Sequence, residues 1–261
     1  MARETFATTS DKQEMDDMTA DTTAPVAPSG GTQSLAGSQT YDAYANTQMG
    51  RLSRIVALHA GVSEPSTSQM LAERLAESAR KALEADSRLA SIEVIGLRPL
   101  GKEIALASVG GPVPADLQKV IDALAAADGV ILVSPVFQAS YSGLFKSAMD
   151  VLPAGTLEGV PVLLGATAGT ARHSLVTEMA LRPLVAYMKA LPTQTAVFAA
   201  SEDFGAAWQT PSSSERPEAP LSQRVARAGR ELATLMERFP RQAPVDPLAD
   251  FTPMGALLAG R

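Results

Sequence analysis

Apolar and polar residues alternate along the middle of the chain in a way that predicts alternating strands and helices. Short runs of branched aliphatic residues, suited to strands buried on both faces, recur between stretches with apolar residues at helical spacing. The predicted strands span residues 54–60, 92–97, 130–133, 160–166 and 195–200. The predicted helices span about residues 67–84, 114–124, 143–152, 174–189 and 221–239. This alternation favours a parallel sheet with helices on both faces.

Five strand–helix units of this kind predict an α/β, flavodoxin-like fold whose five-stranded parallel sheet has the order 2-1-3-4-5. We expect the third strand to end at Ser134-Pro135, because proline has no N–H to donate to a ladder. Residues 98–114, rich in proline, glycine and small side chains, are predicted to form a loop. The loops that follow strands one, three and four would then meet at the carboxyl edge, where open α/β sheets bind ligands.

The two ends of the chain differ from its middle. Residues 1–50 have almost no branched aliphatic side chains and are predicted to be a disordered tail. Residues 51–240 would form the flavodoxin-like domain, with residues 201–220 as a surface excursion. Residues 241–261 are predicted to be a C-terminal tail with apolar anchors such as Phe251 and Leu257.

Composition excludes several functional classes. With no cysteine, the chain has no disulfide, thiolate nucleophile or cysteine-based zinc site, and with two histidines a metal centre is not expected. Most of the net charge of −6 falls in residues 1–50, so no basic face for nucleic acid is predicted. No apolar run approaches the roughly 18 residues of a membrane span, and the N-terminus lacks a secretory signal pattern. We therefore expect a cytoplasmic protein without membrane or nucleic-acid partners.

The three loops at the carboxyl edge suggest one kind of ligand. Residues 61–68 offer hydroxyls and backbone N–H groups at a helix N-terminus, which suits a phosphate, although serines there can also be plain N-caps. Neither a Walker motif nor a GxGxxG fingerprint is present. Phe137 and Tyr141 could form an aromatic wall or pack as core or interface residues, and residues 167–170 are small enough for backbone amides to approach a ring edge. A mononucleotide with a flat ring fits this set, and FMN fits better than ATP.

Three longer segments resemble a known family. SPVFQASYSGLFKSAMDVLP, ATAGTARH and EMALRPLVAYMKAL, at these separations, resemble the NAD(P)H-dependent FMN reductases, specifically the branch that serves two-component monooxygenases such as the alkanesulfonate system. The resemblance covers about residues 54–204. FAASEDFGA and VDPLADFTPMGALLAG are similar to reductases that are partnered with luciferase-like flavin monooxygenases.

The resemblance implies a set of cofactor-binding residues. The phosphate loop of FMN would comprise Ser63, Ser66, Thr67, Ser68 and Gln69. The ribityl chain and isoalloxazine would lie along Pro135, Val136, Phe137, Gln138 and Ser142. The pyrimidine edge of the ring would meet Thr167, Ala168, Gly169 and Thr170.

The resemblance also implies a role for Tyr141 and exposes two departures from the family pattern. Tyr141 aligns with a tyrosine inserted into a helix near the subunit interface and the flavin, and with Phe137 it is expected to orient the rings. The family often has an arginine where Thr67 stands and a double glycine where Ala168-Gly169 stands. Loss of the guanidinium removes a bidentate contact to phosphate, so we expect weaker FMN binding. His59 is expected to be a satisfied core or edge residue.

The function implied is NAD(P)H:FMN oxidoreduction. Hydride transfer from nicotinamide C4 to flavin N5 needs no acid from the enzyme, so no catalytic side chain and no metal are predicted. FMN would act as a substrate that leaves, after reduction, for a flavin-dependent monooxygenase, and the reductase would be a homodimer or homotetramer. Two alternatives stay open: an FMN-containing electron carrier of the flavodoxin type, and an NAD(P)H-dependent quinone or azo reductase.

Overall fold

The computed structural model describes residues 52–204 and 219–241. The predictions for the N-terminal tail, for most of the surface excursion and for the C-terminal tail therefore lie outside the described residues. Among the residues that are described, no helix is long and apolar enough to cross a membrane.

The sheet has the predicted order. The strands are β1 Ser53–His59, β2 Ala90–Gly96, β3 Gly129–Phe137, β4 Ser140–Tyr141, β5 Pro161–Ala168, β6 Leu191–Pro192 and β7 Val197–Ala200. Their order is β2-β1-β3-β5, with β6 and β7 both paired with the far side of β5 and with β4 paired with β3. Every pairing is parallel except that of β4 with β3. The order 2-1-3-4-5 is thus confirmed, although two short strands share the fifth position.

Helices cover both faces of this sheet. They are α1 Thr67–Ala85, α2 Gly101–Ser108, α3 Ala115–Ala125, α4 Gly143–Asp150, α5 Arg182–Tyr187 and α6 Leu221–Arg238. Helices α1 and α6 pack on one face, where the core includes Ile55 and Ala57 of β1. The helices α2 to α5 pack on the other face, where the core includes Val56 and Leu58. Burial on both faces explains why the strands are unbroken apolar runs.

The prediction that Ser134-Pro135 ends the third strand was wrong. Strand β3 continues to Phe137, and Pro135 pairs with Thr167 of β5. Alternate residues of a strand direct their backbone groups to opposite neighbours. Val133 faces β1, since its carbonyl accepts the Ala60 N–H at 3.0 Å, so Pro135 faces the same side, where β1 has already ended. The missing N–H therefore removes no ladder bond.

The predicted loop over residues 98–114 contains a helix, which corrects the second expectation. A 3₁₀ turn at Arg98–Leu100 leads into α2, whose Ile104 is fully buried in the core beneath it. The proline and glycine residues lie at the ends of this segment, where they are compatible with a helix. Pro99 lies in the opening turn, and Gly110 follows the helix with a φ of +89°.

The fourth crossover and the fifth strand are less regular than predicted. In place of one helix over residues 174–189, a 3₁₀ turn at Ala171–His173 and a π-helical turn at Thr177–Leu181 precede α5. Pro183 cannot donate a backbone hydrogen bond, which is consistent with a local change of helix type. Between β6 and β7, Arg182 donates to the carbonyls of Thr193 and Gln194, and Glu231 accepts from the N–H and hydroxyl of Thr195.

We expect Gly229→Ala to reduce the free energy of unfolding by about 2 kcal/mol. A Cβ at Gly229 of α6 would lie 2.7 Å from the backbone carbonyl carbon of Ser78 in α1. The overpacking cost, up to about 3 kcal/mol, exceeds the ~1 kcal/mol that alanine gains over glycine in a helix. Urea denaturation measures the change. Gly101→Ala is the matched control, because its added Cβ comes no closer than 3.9 Å to a neighbour; equal stability of the two variants would contradict the close crossing.

Candidate functional site

The first loop, which joins β1 to α1, folds tightly against the helix that it precedes. Ser66 is the N-cap of α1, and its Oγ accepts the Gln69 N–H at 3.2 Å. A Cβ at Gly61 would lie 1.9 Å from Ser66 Oγ, so only glycine allows this close approach. The remaining N–H groups of the first turn of α1 have no intrahelical acceptor. Ser63 is exposed in the same loop, while Ser66 and Ser68 are buried.

A buried hydrogen bond joins the first loop to the third. Ser68 Oγ and Thr167 Oγ1 are 2.7 Å apart and lie 99 residues apart in the sequence. Both side chains are almost fully buried, at 1% and 2% exposure. The structure thus brings together two residues predicted for the phosphate loop and the ring edge, but it uses their hydroxyls to bond each other.

The second loop is a tight hairpin between β3 and β4. Phe137 pairs with Ser140, so Gln138 and Ala139 form a two-residue turn. Both have positive φ, +48° and +63°, as a type I′ turn requires. Neither is glycine, so the turn carries conformational strain of about 1–2 kcal/mol per residue. This strained turn presents Phe137 with 47% of its surface exposed.

Two serines anchor that hairpin from below. Ser134 Oγ accepts the Ser142 N–H and donates to the Pro135 carbonyl, each at 2.9 Å. Ser142 is the N-cap of α4, and its Oγ accepts the Phe145 N–H at 3.1 Å. Ser142 is 1% exposed, so its contribution here is to cap a helix. Its contact with a cofactor stays a prediction.

Tyr141 lies before the helix that begins at Gly143, as the predicted helix over residues 143–152 implied, whereas the family tyrosine with which it aligns is inserted into a helix. It occupies β4, paired with Val136, immediately before α4. Its ring is half-buried and packs on Phe145, with the ring centroids 5.8 Å apart. The pairing of Tyr141 with Val136 sets this position, and an alignment of sequences alone does not show which residues of a hairpin pair.

The third loop presents backbone with little side chain. Gly169 and Thr170 are exposed after the end of β5, and Ala168 is half-buried. A Cβ at Gly169 would meet no atom within 4 Å, so a planar ring has room to approach this backbone. Phe137 of the hairpin and this loop end neighbouring strands, β3 and β5, at the same edge of the sheet.

A cavity of about 640 Å³ opens beside the first loop, between α1 and the end of β2. Its walls include Ser63, Ser66 and Gln69 of the predicted phosphate set, together with His59, Glu64 and Arg98. Neither Phe137 of the second loop nor Thr170 of the third lines this cavity. The sequence pattern missed Arg98, because it placed that residue in a featureless loop.

His59 is buried in the wall of this cavity. It is 7% exposed, and its Nδ1 has no hydrogen-bond partner among the described residues, so the expectation of a satisfied histidine was wrong for this atom. The ring lies over Gly96, where a Cβ would come within 3.0 Å of Cε1 and Nε2. Burial lowers the pKa of His59 below its ordinary value of 6.5, and the nearby Glu73 carboxylate opposes that shift only in part.

Comparison with known proteins identifies the family. A family model described as NADPH-dependent FMN reductase matches residues 53–205, more than half of the 261-residue chain. The chain belongs to this family. It is accordingly a flavin reductase that uses NAD(P)H and FMN, as the resemblance in the sequence implied.

Individual relatives agree with this assignment. The chain is 36% identical over 151 residues to "FMN reductase (NADPH)" of Pseudomonas aeruginosa, covering 58% of this chain and 78% of that protein. It is 34% identical over 156 residues to "NADH-dependent FMN reductase SfnF" of Pseudomonas fluorescens, covering 60% of this chain and 81% of that protein. Among solved structures, an oxidoreductase from Corynebacterium diphtheriae is 38% identical, with a TM-score of 0.65, covering 72% of this chain and 98% of that one.

The geometry fits FMN in three respects. The N–H groups at the start of α1 suit a phosphate, the exposed Phe137 ring suits a flat ring system, and the open backbone at Gly169 suits the hydrogen-bonding edge of that ring. The described residues contain no group of three or more His, Asp or Glu side chains placed to hold a metal ion. Bound flavin would supply the redox chemistry, and these loops would position it.

The burial of His59 generates a pH prediction. Because its pKa is lowered in the folded state, the unfolded chain binds more protons as the pH falls below about 6.5. The stabilising effect of a neutral His59 is complete above that pH and is lost as the pH falls towards the folded pKa. We therefore expect the free energy of unfolding to fall more between pH 8 and pH 5.5 in the parent than in His59→Gln, as measured by urea denaturation. An equal fall in both proteins would show that His59 is not the titrating group.

Proposed function

We propose that this reductase treats FMN as a substrate and releases reduced FMN to a flavin-dependent, luciferase-like monooxygenase. One observation carries the proposal: the polar side chains of the first loop are largely used within the protein. Ser66 caps α1 and Ser68 bonds Thr167, while Thr67 stands where the family often has an arginine. A phosphate held by backbone N–H groups and an exposed Ser63 is held weakly enough to leave at each turnover.

The remaining predicted residues would align the two rings. Phe137, held by the strained hairpin, would lie against the flat ring, with Val136 and Gln138 beside it. Gly169 and Thr170 would offer backbone groups to the pyrimidine edge. Close alignment of donor and acceptor accounts for the rate without an acidic or basic side chain. The related proteins carry both NADPH and NADH in their names, so either nucleotide is a candidate donor.

The two alternatives predict different behaviour. An electron carrier must retain FMN through each redox cycle, which favours a strongly held phosphate and an enclosed ring. In the described loops the exposed aromatic at the ring position is Phe137, and Tyr141 packs on Phe145 instead. A quinone or azo reductase would share the fold and the loops but would keep its flavin bound while other acceptors enter.

Oxidation of NAD(P)H by protein purified without added flavin tests the proposal. We expect a nearly colourless protein whose NAD(P)H oxidation requires added FMN and saturates with it, because weakly held FMN dissociates during purification. Absorbance at 340 nm follows the oxidation, and gel filtration at low protein concentration tests flavin retention. Stoichiometric yellow protein with full activity and no FMN requirement would contradict the proposal. Activity with quinones that is independent of free FMN would favour the second alternative.

We also propose that the homo-oligomer forms through the fourth crossover. Leu175, Met179 and Tyr187 recur at four- and eight-residue intervals there and are 68%, 76% and 88% exposed. Large apolar side chains in one row are typical of a protein–protein contact. This row is more exposed than Tyr141, which was the sequence-based candidate for the subunit contact.

A charged substitution in this row tests the contact. We expect Met179→Lys to shift the protein towards the monomer in sedimentation velocity, because the contact would bury an ammonium group without a partner. Leu106→Lys, at a 50% exposed site on α2, is the control and should sediment like the parent. An unchanged dimer or tetramer in Met179→Lys would rule out this row as the interface.

A further inference from the structure

We propose that the cavity beside the first loop binds a phosphomonoester dianion, and that Arg98 is the residue that pairs with it. The inference rests on the proposed function, since the flavin reductase reaction brings two phosphomonoesters to this protein: the 5′-phosphate of FMN and, if NADPH is the donor, its 2′-phosphate. Both have the same charge and the same acceptor oxygens, so both suit one guanidinium.

The first support is the position of Arg98. It begins the 3₁₀ turn after β2, and it lines the same cavity as Ser63, Ser66 and Gln69 of the first loop. Among the described residues that line this cavity, Arg98 is the one arginine, and none is a lysine. The first loop itself has Thr67 where the family often has an arginine, so Arg98, from the turn that follows β2, would supply the charge-assisted contact that this loop lacks.

The second support is the present partner of Arg98. Its guanidinium lies 3.5 Å from a Glu64 carboxylate oxygen, and the two side chains are 55% and 86% exposed. An ion pair between such exposed groups contributes little to stability. Exchange of Glu64 for a phosphate dianion therefore sacrifices little and gains a bidentate, charge-assisted contact. Since Glu64 belongs to the first loop, two residues before the N-cap Ser66, the guanidinium already lies beside this loop.

The third support is the set of donors along the rest of the wall. Ser66 and Gln69 line the cavity at the start of α1, where backbone N–H groups without an intrahelical acceptor can donate to a phosphate. His59 also lines the cavity, but its unpartnered Nδ1 has almost no accessible surface, so a ligand there would not reach that atom.

Two carboxylates in the cavity limit the affinity. Glu73 accepts a hydrogen bond from Gln69 Nε2 at 2.9 Å one turn into α1, and Glu64 competes directly for Arg98. A phosphate bound between them is attracted by Arg98 and repelled by its neighbours. The site is thus built for binding that is specific for a phosphate and readily reversed.

Variants at two positions test the assignment in the full-length protein. Arg98→Gln removes the charge, Arg98→Lys keeps it without the planar fork, and Glu64→Gln removes the competing carboxylate. Lys102→Gln is the matched control, because it removes one exposed positive charge from α2 outside the cavity. Flavin fluorescence gives the Kd for FMN and for riboflavin, which lacks the phosphate. Steady-state rates give the KM for NADPH and for NADH, which lacks the 2′-phosphate.

The results separate the two phosphate sources. If the cavity binds the flavin phosphate, Arg98→Gln raises the Kd for FMN about tenfold or more, the effect of one charge-assisted hydrogen bond, and leaves riboflavin unchanged. If it binds the nucleotide phosphate, the KM for NADPH rises by a similar factor and that for NADH does not. In either case Arg98→Lys has an intermediate effect and Glu64→Gln tightens binding of the same phosphate-bearing molecule.

Other results overturn the inference. If Arg98→Gln and Lys102→Gln have the same Kd for FMN and the same KM for NADPH, the cavity holds no phosphate. An equal loss in Glu64→Gln and Arg98→Gln would show that the ion pair only supports the loop. These outcomes are distinct from failure of the proposed function. If the parent protein oxidises no NAD(P)H with FMN, the proposed function fails. If Arg98→Gln then still binds FMN more weakly than the parent, with riboflavin binding unchanged, the phosphate site stands without the activity.

Discussion

The hydrogen bond between Ser68 and Thr167 is the constraint on which the candidate site depends. It joins the first turn of α1 to the end of β5, across the strand β3 that lies between β1 and β5. Both hydroxyls are buried, so each would lose most of its hydrogen bonding if the other moved away. The spacing of the first and third loops is therefore fixed before any ligand arrives. Because both side chains are buried, a ligand at these loops would instead meet backbone N–H groups, the exposed Ser63 and, by the inference above, Arg98.

In the second loop, too, polar side chains form hydrogen bonds within the protein. Ser134 holds the hairpin from beneath, and Ser142 caps α4, so the polar groups near the chain reversal are used to shape it. The strain at Gln138 and Ala139 can persist because β3–β4 pairing and the helix cap determine the turn on both sides. What remains exposed is the ring of Phe137. A site built in this way has a rigid outline and few charges of its own, which suits a flavin that brings its own chemistry.

The sequence predicted the features that depend on hydrophobic periodicity and on the order of elements along the chain. It did not predict those that depend on which residues pair between strands. Buried runs such as residues 130–133 predicted the strands, and the alternation with helices predicted the order 2-1-3-4-5, because burial on both faces leaves a strong pattern. Pro135 was misjudged because its effect depends on which neighbour its nitrogen faces. The helix α2 was missed because its buried contribution is largely one side chain, Ile104, between residues that favour turns. The sequence had offered an N-cap as the alternative role for the serines of the first loop, and Ser142 could have been recognised in the same way, since serine before a helix is common.

The charges around the first loop show why a candidate site cannot be judged from one segment of sequence. Taken alone, residues 61–69 have hydroxyls and a carboxylate, Glu64, which is a poor set for a dianion. In the folded chain the end of β2 lies beside this loop and brings Arg98 within 3.5 Å of that carboxylate. The pairing of β1 with β2 thus places a positive charge beside the carboxylate of the first loop, so that the two charges offset each other. An arginine fixed within the loop would always be available to a bound phosphate. Arg98 must first leave the Glu64 carboxylate before it can pair with one. Such sharing would keep the attraction weak enough to reverse, as the proposed release of reduced FMN at every turnover requires.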